Sequence, residues 1–182
     1  MINHPRDPLP YRQCAGIVLF NREGNVFVGK RLDQTGSAWQ LPQGGIEKEE
    51  APRTAALREL EEETGASSVT VLAEASKWLT YELPDELIGK VWNGEYRGQR
   101  QKWFAMRFTG DEREINPANV ENPEFSTWRW AALDDLPRLA VPFKRHIYEA
   151  IVAEFAIHAV PVGGTSRAIM GERRLATRNT GT

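Results

Sequence analysis

"GGIEKEEAPRTAALRELEEETGA", residues 44 to 66, sets Glu59, Glu61, Glu62 and Glu63 close to the end of a segment that reads as a helix. Pro52 suits the first helical position, where its missing N–H costs nothing. Gly65 suits the residue that closes a helix in a left-handed turn. Ala56, Leu57 and Leu60 recur at helical spacing and supply an apolar stripe, so a helix is expected over 52–64. Its charges oppose ordinary helix chemistry. Glu59 has Glu62 and Glu63 at i+3 and i+4, and like charges so placed cost about 0.2–0.5 kcal/mol per pair. Acids in the last turn also face the negative end of the helix dipole, at roughly 0.3–1 kcal/mol each. Local rules tend to be broken where function requires it. Carboxylates converging on one point escape both penalties if they share a hard cation. Oxygen donors of this kind suit Mg²⁺ or Mn²⁺, whereas zinc would call for His or Cys. Backbone carbonyls of the Gly44–Gly45 turn extend the oxygen set. Glu61 falls on another side and reads as solvated. The plain alternative is a glutamate-rich surface helix, and spacing alone leaves both readings open.

Outward from this helix the chain alternates strands and turns. "CAGIVLF" (14–20) and "NVFVGKR" (25–31) flank "NREG", a hairpin pattern. A short extended stretch over 37–45 leads into the Gly-Gly turn. Strands are expected at 68–75, 78–83, 101–108 and 126–133, with a polar loop over 84–100. Phe143, Ile147, Ile151, Val152 and Phe155 recur at helical spacing, so a second helix is expected over 142–159. From Pro161 the composition turns to Gly, Thr, Ser and Arg. The division expected is an N-terminal arm over 1–9, one α/β domain over 10–158, and a polar tail over 159–182 outside the fold.

A chain of 182 residues buries a real core in a single domain. Its net charge of −2 excludes a basic nucleic-acid coat. The single cysteine, Cys14, excludes an internal disulfide and reads as a buried thiol. With no secretory pattern and no apolar run near ~20 residues, no membrane span is expected and the cytoplasm is the expected compartment. Trp39, Trp78, Trp103, Trp128 and Trp130 lie in strand-like segments and read as core. Trp92 lies in the polar loop, within reach of a cleft. His4, His146 and His158 show no ligand spacing.

The acidic helix belongs to a longer pattern: Gly44, five residues, Glu50, seven residues, then Arg58-Glu59-Leu60-x-Glu62-Glu63-x-Gly65-Ala66. This resembles the Nudix box of hydrolases that act on a nucleoside diphosphate linked to another group. Ala66 stands where the box usually has Ile, Leu or Val, a packing position. The resemblance implies an α/β/α sandwich with a mixed sheet and a loop–helix–loop catalytic motif. It implies that Glu59, Glu62 and Glu63 bind metal, that Arg58 orients a catalytic carboxylate, and that Glu50 is a structural partner. It also implies a cofactor of Mg²⁺ or Mn²⁺, more than one ion, and Glu63 or Glu59, with Glu114 as a third candidate, as proton acceptor.

Further stretches, "YRQCAGIVLFN", "WQLPQGGI", "KWLTYELP", "GQRQKWFAMRF", "PEFSTWRW" and "VPFKRHIYEAIVAEF", resemble the bacterial RNA 5′-pyrophosphohydrolases and their relatives, the plant-type diadenosine polyphosphate hydrolases. By that likeness Glu114 in "EIN" is a fourth metal-site acid. Tyr81 and Lys144 contact phosphates, Phe143 stacks on a base, and Arg12 and Arg31 hold the phosphate chain. Gln99 and Gln101 lie in a matching segment without an assigned role. The expected reaction removes pyrophosphate from the 5′-triphosphate end of RNA and so promotes mRNA decay. The alternative is hydrolysis of diadenosine tetraphosphate to ATP and AMP. A non-catalytic nucleotide-binding module and a purely structural acidic helix rank lower, because every charged position of the box is kept. The partner expected is an RNA end or a dinucleoside polyphosphate, met by a monomer.

Overall fold

The computed structural model describes residues 9–32 and 36–163. The expected arm, apart from residue 9, and the tail beyond residue 163 lie outside the described residues.

The strands are β1 (Tyr11–Phe20), β2 (Val26–Arg31), β3 (Gln43–Gly45), β4 (Val69–Glu74), β5 (Leu79–Glu82), β6 (Gly98–Phe108) and β7 (Phe125–Ala131). The helices are α1 (Pro52–Thr64), α2 (Leu136–Leu139) and α3 (Arg145–Phe155). One seven-stranded sheet runs in the order β4-β6-β1-β2-β7, with β3 added to β1 and β5 added to β6. Only β1 and β6 run parallel, paired from Tyr11↔Gly98 to Phe20↔Arg107; the other pairs are antiparallel, so the sheet is mixed. β6 begins at Gly98, earlier than expected, because Gly98, Gln99 and Arg100 are also ladder residues, paired with both β1 and β5. The segment taken as a plain loop before it holds short 3₁₀ turns at Asp85–Leu87 and Trp92–Gly94.

β1 is buried on both faces, as the continuous run from Cys14 to Phe20 requires of a central strand. Its odd face, with Ala15, Ile17 and Leu19, packs with Phe104 and Met106 against Ala55, Ala56 and Leu60 of α1. Its even face, with Val18 and Phe20, packs with Trp103 and Ala105 against Ile147, Tyr148, Ile151 and Phe155 of α3. A helix on each face of one sheet is the α/β/α sandwich expected.

Several details differ from expectation. Leu57 is exposed, and the buried stripe of α1 runs through Ala55, Ala56, Leu60 and Glu63. The small alanines, fully buried, let α1 lie close to β1, and Glu63 falls on the same buried stripe. Of the tryptophans read as core, Trp103 alone is fully buried. Trp128 and Trp130 on the edge strand β7 instead cover Phe27, at ring-centroid distances of 5.4 and 6.3 Å. The tail was expected to stand outside the fold from residue 159. Ala159 instead packs at the edge of the core, and Val162 N–H donates to the Arg22 carbonyl at 2.8 Å, tying this end to the β1–β2 turn.

Gly65 ends α1 as expected, with φ 80° and its N–H on the Glu61 carbonyl at 2.8 Å. A Cβ there would also stand 2.8 Å from the Glu114 carbonyl oxygen. Gly65→Ala should therefore cost at least about 1–2 kcal/mol from backbone strain alone. In a domain of this size that lowers Tm by roughly 2–8 °C, to be read by circular dichroism.

Candidate functional site

The site is built where β3 turns into α1. Arg58, nearly two turns into the helix, is its organising side chain. Its Nε donates to Glu50 Oε1 at 2.9 Å and its Nη2 to Glu50 Oε2 at 2.8 Å, a two-pronged pairing that pulls Glu50 below the usual carboxylate range. Nη2 also donates to the Gly45 carbonyl at 2.9 Å. Nη1 reaches Glu59 Oε1 and Glu62 Oε2, both at 2.9 Å. One guanidinium thus ties the 44–50 loop to the acids of the helix.

Gly44 is required sterically. A Cβ added there would come within 1.9 Å of the Glu59 carboxylate, so only a glycine lets that acid lie against the β3 backbone. Glu63, one turn on, is 3 % exposed and accepts from the Gln43 N–H at 3.0 Å. Burial first, and then the nearby Glu124, push its carboxyl well above the ordinary range. Burial likewise raises Glu59, against the pull of Arg58.

Glu124, on the loop before β7, faces Glu59 and Glu63 and pairs with Arg31 at 3.0 Å. It was missed from sequence, although "PEFSTWRW" was singled out. The structure does not bring Glu114 to these acids. Its carboxylate accepts the N–H groups of Ser67 and Ser68, both at 2.7 Å, which hold it ionised below the usual range. It closes the loop beyond α1 instead of opening on the cleft, and an acid followed by a turn gives no sequence sign of which way it points.

Among the described residues, no three acid, His or Cys side chains stand close enough together to hold an ion as placed. The reason is visible: Arg58 draws Glu59 and Glu62 toward itself, and the Glu62 side chain is 58 % exposed. The donor chemistry nevertheless fits a hard divalent cation. Glu59, Glu63 and Glu124 present carboxylate oxygens around one space, and Glu63 is a buried carboxyl group near two others, an arrangement that is costly unless a proton or cation offsets it.

The opposite wall is cationic and donor-rich. Arg12, Arg31, Lys144, Gln40, Gln43 and Gln99 line one cleft with Gly44, Glu59 and Glu124. Burial first, then Arg31, lowers the Lys144 ammonium to about 8. The Gln40 Nε2 is buried without a hydrogen-bond partner among the described residues. Trp92 reaches this cleft, with the Arg12 guanidinium 5.8 Å from its ring centre, and Trp92 and Asn93 both hold positive φ (49° and 55°). Tyr81 and Phe143 lie beside the cleft, their rings 5.5 Å apart and the Lys144 Nζ 5.1 Å from Tyr81. Tyr81 is 2 % exposed and Phe143 half-buried, so Tyr81 packs as core beneath Lys144. Cys14 is fully buried, its thiol pushed up to about 11 chiefly by burial.

Residues 10–151 match the NUDIX domain family. A protein of Rhodospirillum rubrum named RNA pyrophosphohydrolase is 56 % identical over 153 residues, 84 % of this chain and 92 % of its own. One of Rickettsia rickettsii with the same name is 50 % identical over 147 residues, 81 % of this chain and 91 % of its own. Among solved structures, the E. coli dihydroneopterin triphosphate pyrophosphohydrolase superposes with TM-score 0.61 at 20 % identity, covering 79 % of this chain and 98 % of its own. The chain belongs to the NUDIX domain family and is an enzyme acting on pyrophosphate bonds.

The burial of Glu63 has a consequence for the metal-free protein. Folded Glu63 keeps its proton to a higher pH than the unfolded value of about 4.3, so the folded state binds more protons between the two values. Stability is therefore lost as pH rises through that window. Glu63→Gln removes the loss. In chelator its Tm should exceed that of the native sequence at pH 8, and the gap should close toward pH 4. Excess Mg²⁺ should narrow or reverse the order at pH 8, because only the native sequence gains fully from binding. Differential scanning fluorimetry reads all three.

Proposed function

We propose that this enzyme is an RNA pyrophosphohydrolase: it cleaves the 5′-triphosphate of an RNA to leave a 5′-monophosphate, and so promotes mRNA decay. One observation carries the reading. A single cleft sets Glu59 of α1 and Glu124 against Arg12, Arg31, Lys144 and a row of side-chain amides, and both acids also line the neighbouring cavity that holds Glu62 and Glu63. A chain of phosphates needs both walls, one to hold cations and one to hold anionic oxygens directly. The relatives that are 50–56 % identical over most of their length carry the same activity in their names.

Glu59, Glu62, Glu63 and Glu124 are the residues that would hold Mg²⁺ or Mn²⁺, with the Gly44 carbonyl close by. When bound, the cations supply charge neutralisation on the phosphate oxygens and a water of lowered pKa. The protein's own part is positioning. Arg58 holds Glu59 at the mouth and fixes the 44–50 loop. Arg12, Arg31 and Lys144 bind the unreacting phosphates, aligning the scissile anhydride for attack. Glu63, shielded from bulk water, is placed to take the proton of the attacking water. Negative charge that grows on the equatorial and leaving oxygens meets guanidinium, ammonium and amide N–H groups already in place. Phe143, half-exposed beside Lys144, offers a face for the first base, where stacking is worth roughly 1–3 kcal/mol. The enzyme acts as a monomer in the cytoplasm, and no helix among the described residues is long and apolar enough to cross a membrane.

Two measurements test this. Triphosphorylated RNA and diadenosine tetraphosphate offered together with Mg²⁺ should show the higher kcat/KM for RNA; a preference for the dinucleotide would move the chain to that substrate class. Glu63→Gln should reduce kcat by far more than tenfold, a barrier change well above ~1.4 kcal/mol. Retention of a tenth of the rate would remove Glu63 from the mechanism.

A further inference from the structure

The alternation of β6 puts Gln99, Gln101 and Trp103 on one face. Farther along, that face is core: Trp103 and Ala105 pack with Val18, Tyr148 and Ile151. Gln99 and Gln101 are nevertheless 2 % and 0 % exposed. Apolar residues would fill this space at less cost, and the reaction as described above has no use for the inner glutamine.

The hydrogen bonds among these groups run in one direction. Trp103 Nε1 donates to Gln101 Oε1 at 3.2 Å. Gln101 Nε2 donates to Gln43 Oε1 and to Gln99 Oε1, both at 2.8 Å. Gln43 Nε2 donates to Gln99 Oε1 at 3.2 Å. The direction is forced at the inner end, because an indole N–H can donate and never accept. An amide that shows its oxygen to the indole must show N–H groups to its neighbours. Those neighbours then turn their oxygens inward and leave their remaining N–H groups at the cleft, whose wall both Gln43 and Gln99 form.

The indole itself is held rigidly. Trp103 is 0 % exposed, and a Cβ on Gly16, its partner across the β1–β6 ladder, would stand 2.5 Å from its ring. On the other side the Tyr148 ring meets it edge-on at 6.2 Å, and Tyr148 is fixed by accepting the Leu41 N–H at 2.9 Å.

We infer that Trp103 is a positioning residue for phosphate recognition: through Gln101 it locks Gln43 and Gln99 with their N–H groups toward the cleft, so that the phosphate chain meets a wall of donors only. The Gln40 Nε2 in the same cleft, without a hydrogen-bond partner among the described residues, has the same polarity. Without the lock each carboxamide is free to flip, and a flipped amide offers its oxygen to a phosphate oxygen, where the two repel. The wall so fixed selects unprotonated anionic oxygens and rejects ligand groups that must themselves donate.

The inference rests on the reading of this cleft as a polyphosphate site. The test uses the full chain with Mg²⁺ and a 5′-triphosphorylated oligoribonucleotide, and compares the native sequence, Trp103→Phe, Gln101→Met and the double variant. Trp103→Phe should raise KM at least fivefold while kcat at saturation stays within twofold. In the Gln101→Met background the same change should move KM by less than twofold, because the relay is already cut. Native KM in Trp103→Phe overturns the inference and leaves the proposed function standing. So does an equal rise in both backgrounds, which would mark a packing effect. Absence of turnover in the native sequence overturns the polyphosphate reading and this inference with it. Should Trp103→Phe fail to fold, benzothienylalanine at 103, which replaces the N–H by sulfur at constant shape, carries the same expectations.

Discussion

The site depends on how fully one guanidinium is occupied. Arg58 spends its N–H groups on Glu50, Glu59, Glu62 and the Gly45 carbonyl, all within 2.8–2.9 Å. A lysine at that place could offset the charge but could not hold a loop and a helix in one plane, since its ammonium lacks the fixed fork. Burial works against a charged group, but the acids outweigh it and hold the guanidinium firmly protonated, Glu50 contributing most. The carboxylates of α1 would otherwise repel each other at the unfavourable end of the helix dipole. Arg58 offsets that strain from one side, leaving Glu63 and Glu124 on the cavity they share with Glu59. The charges of the box are thus a balanced set, and removal of any one member unbalances the others.

The helix and its closure were legible in the sequence because they are local. Pro52, Gly65 and the i, i+3, i+4 relation of the glutamates are written within a few turns of chain. The mixed α/β domain was legible in the alternation of strands and helices and in the apolar stripe of α3; the two-sided sandwich was implied by the resemblance of the box, and the burial of β1 on both faces accounts for it. What was not legible depends on contacts between distant segments. Glu124 joins the acids across some sixty residues of sequence, by way of an edge strand whose register sets its direction. Glu114 was placed with the acids by likeness, but the Ser67 and Ser68 N–H groups hold it elsewhere. Leu57 was read as buried because apolar spacing cannot tell which of two neighbouring stripes meets the sheet; Ala55 and Ala56 decide it by letting the backbones approach. Gln99 fell in the expected loop and Gln101 at the first position of the expected strand, neither with an assigned role, and only the ladder with β1 and β5 shows them inside the protein.

The net charge of −2 agrees with a polyphosphate site once the charge is located. A protein that grips a long nucleic acid spreads its cations along a surface, and its affinity then falls steeply with salt. Here the cations that matter sit in one cleft, partly buried, where each acts through less water and is screened less. Lys144 shows the limit of that strategy: burial and Arg31 have already lowered its ammonium to about 8, so a further lysine in the same place would tend to lose its proton. Neutral amides carry no such penalty. They add donors without adding repulsion, and their oxygens can be used up internally. A wall of three cations backed by amides would therefore offer a phosphate chain more donors than a wall of lysines alone could hold in the ionised state. The buried glutamines of β6, costly as packing, are the form that solution takes in this fold.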